Sequence, residues 1–212
     1  MQSSRRRVWP GDAPPVVAAA EYGLQVVQGR VVLVPYDPAW VTAFEVEREV
    51  LRAALQPWLR GGVEHIGSTS IPGLAAKPII DMLAGVADFR KASAAEGALR
   101  DLGYTRAEHR PHEALHFFRP HVPVEQWWQR THHLHLTETT STLWRERLAF
   151  RDALRNNRDL LQQYQNLKED LAADQVDGEH YTAGKHDFVR RVLASVGVPL
   201  VDWRAALASR EV

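Results

Sequence analysis

One aspartate stands inside an apolar run, Pro78-Ile79-Ile80-Asp81-Met82-Leu83, and that placement limits the folds open to this chain. Such a run, here over 78–86, reads as a buried strand. A carboxylate carried into it is costly unless it is paired or holds a metal. Upstream, Val63-Glu64-His65-Ile66 reads as a second short strand running into Gly67-Ser68-Thr69-Ser70. Lacking a side chain, Gly67 is expected to let a phosphate approach the backbone closely. Ser68, Thr69 and Ser70 add hydroxyls, and the turn after them presents backbone N–H groups; a helix starting there favours an anion at its N-terminus. Asp81, a hard oxygen ligand beside such a site, points to Mg2+. The plainer reading is a serine-rich turn and an aspartate hydrogen-bonded to nearby backbone.

The rest of the chain supplies the frame. Val31–Val34 is expected as a short strand closed by Pro35 and Pro38. From Trp40 to Leu59, Val41, Phe44, Leu51, Leu55 and Trp58 recur at mostly helical spacing, with Gly61-Gly62 as the stop. Asp88 is placed to cap a helix that runs to about Leu102 and ends at Gly103. Short strands are expected at Tyr104–Ala107, Leu115–Arg119 and His132–Leu136. The chain from Ser141 to about Val196 reads as helical, with breaks near Asn156-Asn157 and Asp177-Gly178. This order predicts an α+β fold: residues 1–30 as a tail, 31–140 as a mixed-sheet core, and 141–212 as a C-terminal helical part.

Composition narrows the function. Lys plus Arg and Asp plus Glu are both 26, so the formal net charge is zero and a polynucleotide partner is not expected. With no cysteine there is no disulfide, zinc-thiolate or thiol-nucleophile chemistry. No apolar run has the length of a membrane span, and the Arg5-Arg6-Arg7 lead-in lacks an apolar signal core, so a cytoplasmic protein with no membrane partner is expected. Seven of the ten histidines fall between His109 and His135, without a zinc-motif spacing.

The stretch from Glu64 through Gly67-Ser68-Thr69-Ser70-Ile71-Pro72-Gly73-Leu74-Ala75-Ala76-Lys77-Pro78 to Asp81 closely resembles the GrpB family. His133-Leu134-His135, Phe150-Arg151-Asp152-Ala153-Leu154-Arg155, Leu167-Lys168 and Tyr181-Thr182 to Lys185 resemble later parts of that family. Gly67-Ser68 followed by Asp81 also looks like the signature of the nucleotidyltransferase superfamily. The resemblance implies a nucleotidyltransferase-like mixed β-sheet flanked by helices, with Mg2+ or Mn2+ as cofactor and ATP or another nucleoside triphosphate as substrate. Carried over, Ser68 binds phosphate with Gly67, Thr69 and Ser70, and Asp81 holds the metal. The superfamily's second strand carboxylate is replaced by Leu83, so Glu64 is the candidate replacement acid. His133 and His135, sharing one strand face, are candidates for a base, for donors to phosphate or for ligands to a softer metal. Lys77, Arg119, Arg151 and Lys185 occupy family-like positions as phosphate-neutralising cations. For Arg119 and Lys168 the plainer reading is a solvated face, and for Arg151 an ion pair with Asp152. Trp127-Trp128 reads as packing or as a lid over a base.

Two functions follow from the resemblance. One is a nucleotidyltransferase, or an ATP-dependent ligase acting through an adenylate, with a small-molecule acceptor. The other is a non-catalytic domain that binds a nucleotide or a partner protein in a helper role.

Overall fold

The computed structural model describes residues 31–107, 113–120, 130–174 and 178–198. The tail with its three arginines, Trp127-Trp128 and Asp177 lie outside these residues. Helix α1 spans Ala39–Leu55 and buries Trp40, Phe44, Glu47, Leu51 and Leu55 along one stripe. Asp37 Oδ1 accepts the Ala39 N–H at 2.8 Å at its start. The helix stops four residues earlier than its apolar spacing predicts, because Pro57 has no N–H to continue the ladder.

Gly61-Gly62 is therefore not the helix stop. Both glycines lie inside strand β1, Leu59–Ile66, where the register against the next strand shifts between Leu59 and Gly62. Strand β2 is Ile80–Val86. Asp88 Oδ1 then accepts the N–H groups of Arg90 and Lys91, as its capping position predicts. The helix beyond is split into a 3-10 turn, Lys91–Ala95, and α2, Glu96–Asp101. Strands β3, Thr105–Ala107, β4, Ala114–Pro120, and β5, Arg130–Glu138, follow. Val34 makes only an isolated bridge to Ala76.

The sheet order is β1-β2-β5-β4-β3, with β2 and β5 parallel and the other pairs antiparallel. Ile80, Met82, Ala84 and Val86 of β2 and Leu134 and Leu136 of β5 join α1 and Leu99 of α2 in one core on one face. Asp81 and Leu83 belong to the other face. That face meets four helices: α3, Thr142–Asn156, α4, Arg158–Ala173, α5, Gly178–Gly184, and α6, His186–Ser195. Ser141 Oγ caps α3 by accepting the Trp144 N–H, and Asn157 Oδ1 caps α4, so the break expected at Asn156-Asn157 is a cap between two helices. The Trp144 ring fits over the sheet because Gly61 and Gly85 are both bare there; a Cβ on Gly85 would come within 2.9 Å of it. Ile71, Leu74, Leu154, Tyr164, Phe188 and Val192 form a second core between the loop after β1 and the helices. The architecture is α+β: a five-stranded mixed sheet between two helical layers.

Candidate functional site

The parallel register of β2 and β5 sets Asp81 directly opposite His133 on the face turned to the C-terminal helices. His133 Nδ1 lies 2.8 Å from Asp81 Oδ1. A carboxylate only accepts, so His133 donates from Nδ1, and in the neutral ring Nε2 carries the lone pair. Among the described residues Nε2 is buried and has no hydrogen-bond partner. Burial pushes the Asp81 carboxyl up. The hydrogen bond and charge of His133, with Lys77 and His65 nearby, more than offset that and hold its pKa below the ordinary value. Asp81 is therefore a paired carboxylate in a strand, the condition its sequence position required.

The loop between β1 and β2 is wired inwards. Gly67 has φ +68°, and a Cβ there would lie 2.2 Å from Asp81 Oδ2. The Cβ position over this glycine is filled by the Asp81 carboxylate, while the residue itself is exposed. Thr69 Oγ1 donates to Ile79 O at 3.0 Å and sits 3.1 Å from His65 Nε2. Ser70 Oγ donates to Gly67 O at 2.7 Å. Both residues are buried, so neither hydroxyl is presented to a ligand. Ser68 remains, half-buried and hydrogen-bonded to the Tyr164 side chain. His65 lies on the opposite face, stacked on Phe44 with centroids 4.6 Å apart; burial lowers its pKa to about 4.

The helices bring cations to the Asp81 face. Lys77, after the loop, and Lys185, at the start of α6, place their ammonium groups 5.5 Å and 4.3 Å from the centre of one ring, Tyr181. Lys168 of α4 lies 5.5 Å from the Tyr164 ring and donates to Ala75 O. Burial and the neighbouring ammonium groups lower Lys168 to about 7, against the pull of Glu169 and Asp81, and Lys185 to about 8, against the pull of Asp81. Lys77 is lowered too, chiefly by burial. The sequence reading placed Lys168 on a solvated face, yet it is 2% exposed. The missed signal was its position: with Leu160, Leu161, Tyr164 and Leu171 it falls on the helical stripe turned inwards. Tyr164, whose hydroxyl burial pushes up to about 12, was likewise not singled out.

Other expected site residues are engaged elsewhere. Arg119 is on the opposite face: it donates to Glu47 Oε1 and Oε2 at 2.9 Å and to His132 Nδ1 at 2.8 Å, with Tyr104 also donating to Glu47. Alternation along β4 puts it there, on the side of Leu115 and Phe117 and three residues from the site-face side chain His116. Arg151 of α3 donates to Glu64 at 2.8 Å, to His65 O at 3.1 Å and to its neighbour Asp152 at 2.7 Å. The ion pair with Asp152 thus exists, and with Glu64 it holds the Arg151 pKa up although burial opposes it. His135 shares the Asp81 face but pairs with His116, Nδ1 to Nδ1 at 2.5 Å.

These contacts test the implied Mg2+. One Asp81 oxygen is taken by His133 and the other is pressed on Gly67. Glu64 is tied to Arg151, and Leu83 is fully buried where a second carboxylate was looked for. No group of three or more His, Cys, Asp or Glu side chains able to hold a metal ion occurs among the described residues. The donor set does not fit a two-metal cradle.

An α+β fold with an Asp–His pair beneath a lysine-bearing helical layer defines the class of this protein. Comparison with known proteins gives the family. A GrpB protein family model matches residues 30–195, and the chain belongs to the GrpB family. A UPF0157 protein of Pseudomonas aeruginosa is 39% identical over 166 residues, covering 77% of this chain and 66% of that protein. The glutamate-rich protein GrpB of Alkalihalophilus pseudofirmus is 31% identical over 172 residues, covering 80% of this chain and 98% of that one. This chain spans only 46% of the Bacillus subtilis UPF0157 protein YqkA, at 33% identity. The crystal structure of conserved protein GrpB from Enterococcus faecalis superposes with a TM-score of 0.68 at 34% identity, covering 77% of this chain and 96% of that one. No described helix is long and apolar enough to cross a membrane.

Proposed function

We propose that this chain binds a nucleoside triphosphate, ATP being the first candidate, on the Asp81 face and transfers its nucleotidyl group to a small acceptor. The observation that carries the reading is the 2.8 Å pair of His133 Nδ1 with Asp81 Oδ1, which leaves the buried Nε2 without a partner and as the candidate base. In the transfer the acceptor oxygen attacks the α-phosphorus and the bond to the bridging oxygen breaks, releasing pyrophosphate. An acceptor hydroxyl gives its proton to His133 Nε2, and Asp81 stabilises the imidazolium that forms. A carboxylate acceptor needs no base, and the product is then the adenylate of a ligase reaction.

The second reading is a non-catalytic nucleotide- or partner-binding domain. Leu83 in place of a second carboxylate, and Glu64 held by Arg151, favour it. Pyrophosphate release from ATP, CTP, GTP or UTP in the presence of a metabolite pool separates the two, with and without Mg2+ or Mn2+. The transferase reading expects release that Asp81→Asn and His133→Gln each lower by about a hundredfold or more, with far-UV circular dichroism unchanged. Nucleotide binding without release in any condition would leave the binding domain as the function.

A further inference from the structure

Unlike the neighbouring arginines Arg151 and Arg155, the three lysines form no ion pair among the described residues. Arg151 has Glu64 and Asp152, and Arg155 reaches Asp152 at 4.0 Å. Lys77, Lys168 and Lys185 have no carboxylate within ion-pairing distance among the described residues; Glu169 pulls on Lys168, and the acid they all share is Asp81, already bonded to His133. They come from three separate elements: the loop before β2, the third turn of α4 and the start of α6. Tyr181 gathers Lys77 and Lys185 around one ring. Tyr164 joins Lys168 to Ser68 of the loop. Lys168 is anchored to Ala75 O, while Lys77 and Lys185 are half-buried.

Holding three ammonium groups together around two aromatic rings is unfavourable until an anion joins them. One carboxylate cannot balance three cations, so the fitting ligand is multiply charged. Ammonium groups are compact point charges suited to phosphate oxygens. The carboxylates that would hold metal ions against a triphosphate are, in this chain, otherwise bonded.

We propose that Lys77, Lys168 and Lys185 form a polyphosphate-binding subsite that neutralises its ligand without a divalent metal. The subsite rests on the nucleotide reading for its role in a reaction, but not for its existence. A linear polyphosphate of two or three phosphates is the chemical class it takes, whether free or as the tail of a nucleotide.

Calorimetric titration of the full chain with inorganic tripolyphosphate in excess EDTA tests this directly, with sulfate at matched ionic strength as the comparison. Saturable binding in EDTA is expected, with sulfate at least about tenfold weaker. Lys168→Met and Lys185→Gln are each expected to weaken tripolyphosphate about tenfold or more, with Lys77→Ala acting likewise. Lys185→Gln alters a side chain less buried than Lys168, so it stays informative if the Lys168→Met change disturbs folding. No tripolyphosphate binding in EDTA, equal sulfate binding, or binding indifferent to all three substitutions would overturn the subsite. ATP that binds only with Mg2+ and ignores these substitutions would remove the subsite and leave the nucleotide reading standing. Tripolyphosphate binding through the lysines, with ATP no tighter and never turned over, would keep the subsite and remove the nucleotide reading.

Discussion

At Gly67 two demands meet on one residue. Its φ of +68° disfavours any side chain, and the ground above its Cα is occupied by the Asp81 carboxylate, 2.2 Å from where a Cβ would sit. The glycine therefore makes room for the carboxylate. Gly67→Ala is expected to lower unfolding stability by about 2 kcal/mol or more, since strain at positive φ adds to a clash with a side chain that cannot retreat from His133. Urea denaturation of Gly67→Ala, Asp81→Gly and the double variant checks the cause. Removing Asp81 should relieve part of the alanine penalty, leaving a coupling energy; strictly additive losses would show that φ strain acts alone. The sequence made the residue type and its neighbourhood legible, but not the occupant. A contact between residues fourteen apart on neighbouring strands depends on register, and register depends on the whole sheet.

Among the elements, helix α3 works as a strut that positions the loop after β1. Arg155 Nε and Nη2 both donate to Ser70 O, at 3.0 and 2.7 Å, on the last residue of the 3-10 turn Ser68–Ser70. Arg151, one turn earlier, donates to His65 O and Glu64 at the end of β1. Together they fix the angle at which β1 hands the chain to Ser68. Arg155→Ala is expected to cost about 1.5 kcal/mol, near the low end for a charge-assisted hydrogen bond because the guanidinium is partly exposed. Faster amide exchange confined to the loop is expected with it. Arg155→Lys should recover little, since an ammonium group cannot present two parallel donors to one carbonyl. Exchange unchanged from the parent would assign the loop's order to its own Thr69 and Ser70 hydrogen bonds instead. Periodicity made β1, β2, β4, β5 and the helical run legible, because each carries its apolar set at the spacing of its own element. It failed at Gly61-Gly62, where Pro57 had already ended the helix, Gly61 lies under the Trp144 ring and Gly62 takes a positive φ. It failed again at Arg119 and Lys168, whose charge suggested solvent although their strand and helix positions turn them inwards.

For the molecule as a whole, zero formal charge conceals an uneven distribution, and the proton linkage of that distribution gives a directional result. Lys168 and Lys185 titrate at about 7 and about 8 in the folded chain against 10.5 when unfolded. Below pH 7 both states carry both protons, and the folded state bears the full cost of the buried charges. As the pH rises above about 7 the folded state releases protons that the unfolded state still holds, so stability increases with pH until about 10.5. His65, lowered from 6.5 to about 4, acts in the same direction between those values, and Asp81, lowered, loses its contribution as the pH falls through its folded pKa. Above pH 10 the buried Tyr164 opposes the trend, because the folded state keeps a proton the unfolded state gives up. The ligand-free chain is therefore expected to be more stable near pH 9 than near pH 7, with each lysine adding at most about 1.4 kcal/mol per pH unit to the slope. Urea midpoints measured across that range check it, and Lys168→Met should flatten the rise between pH 7 and about 9. A polyphosphate bound to the lysines favours their protonated forms, so saturating tripolyphosphate should stabilise most at the low end of the range and diminish the slope. Midpoints that do not rise with pH, or a slope untouched by Lys168→Met, would mean that water or a counter-charge reaches the cluster and that Lys168 is solvated as its sequence alone suggests.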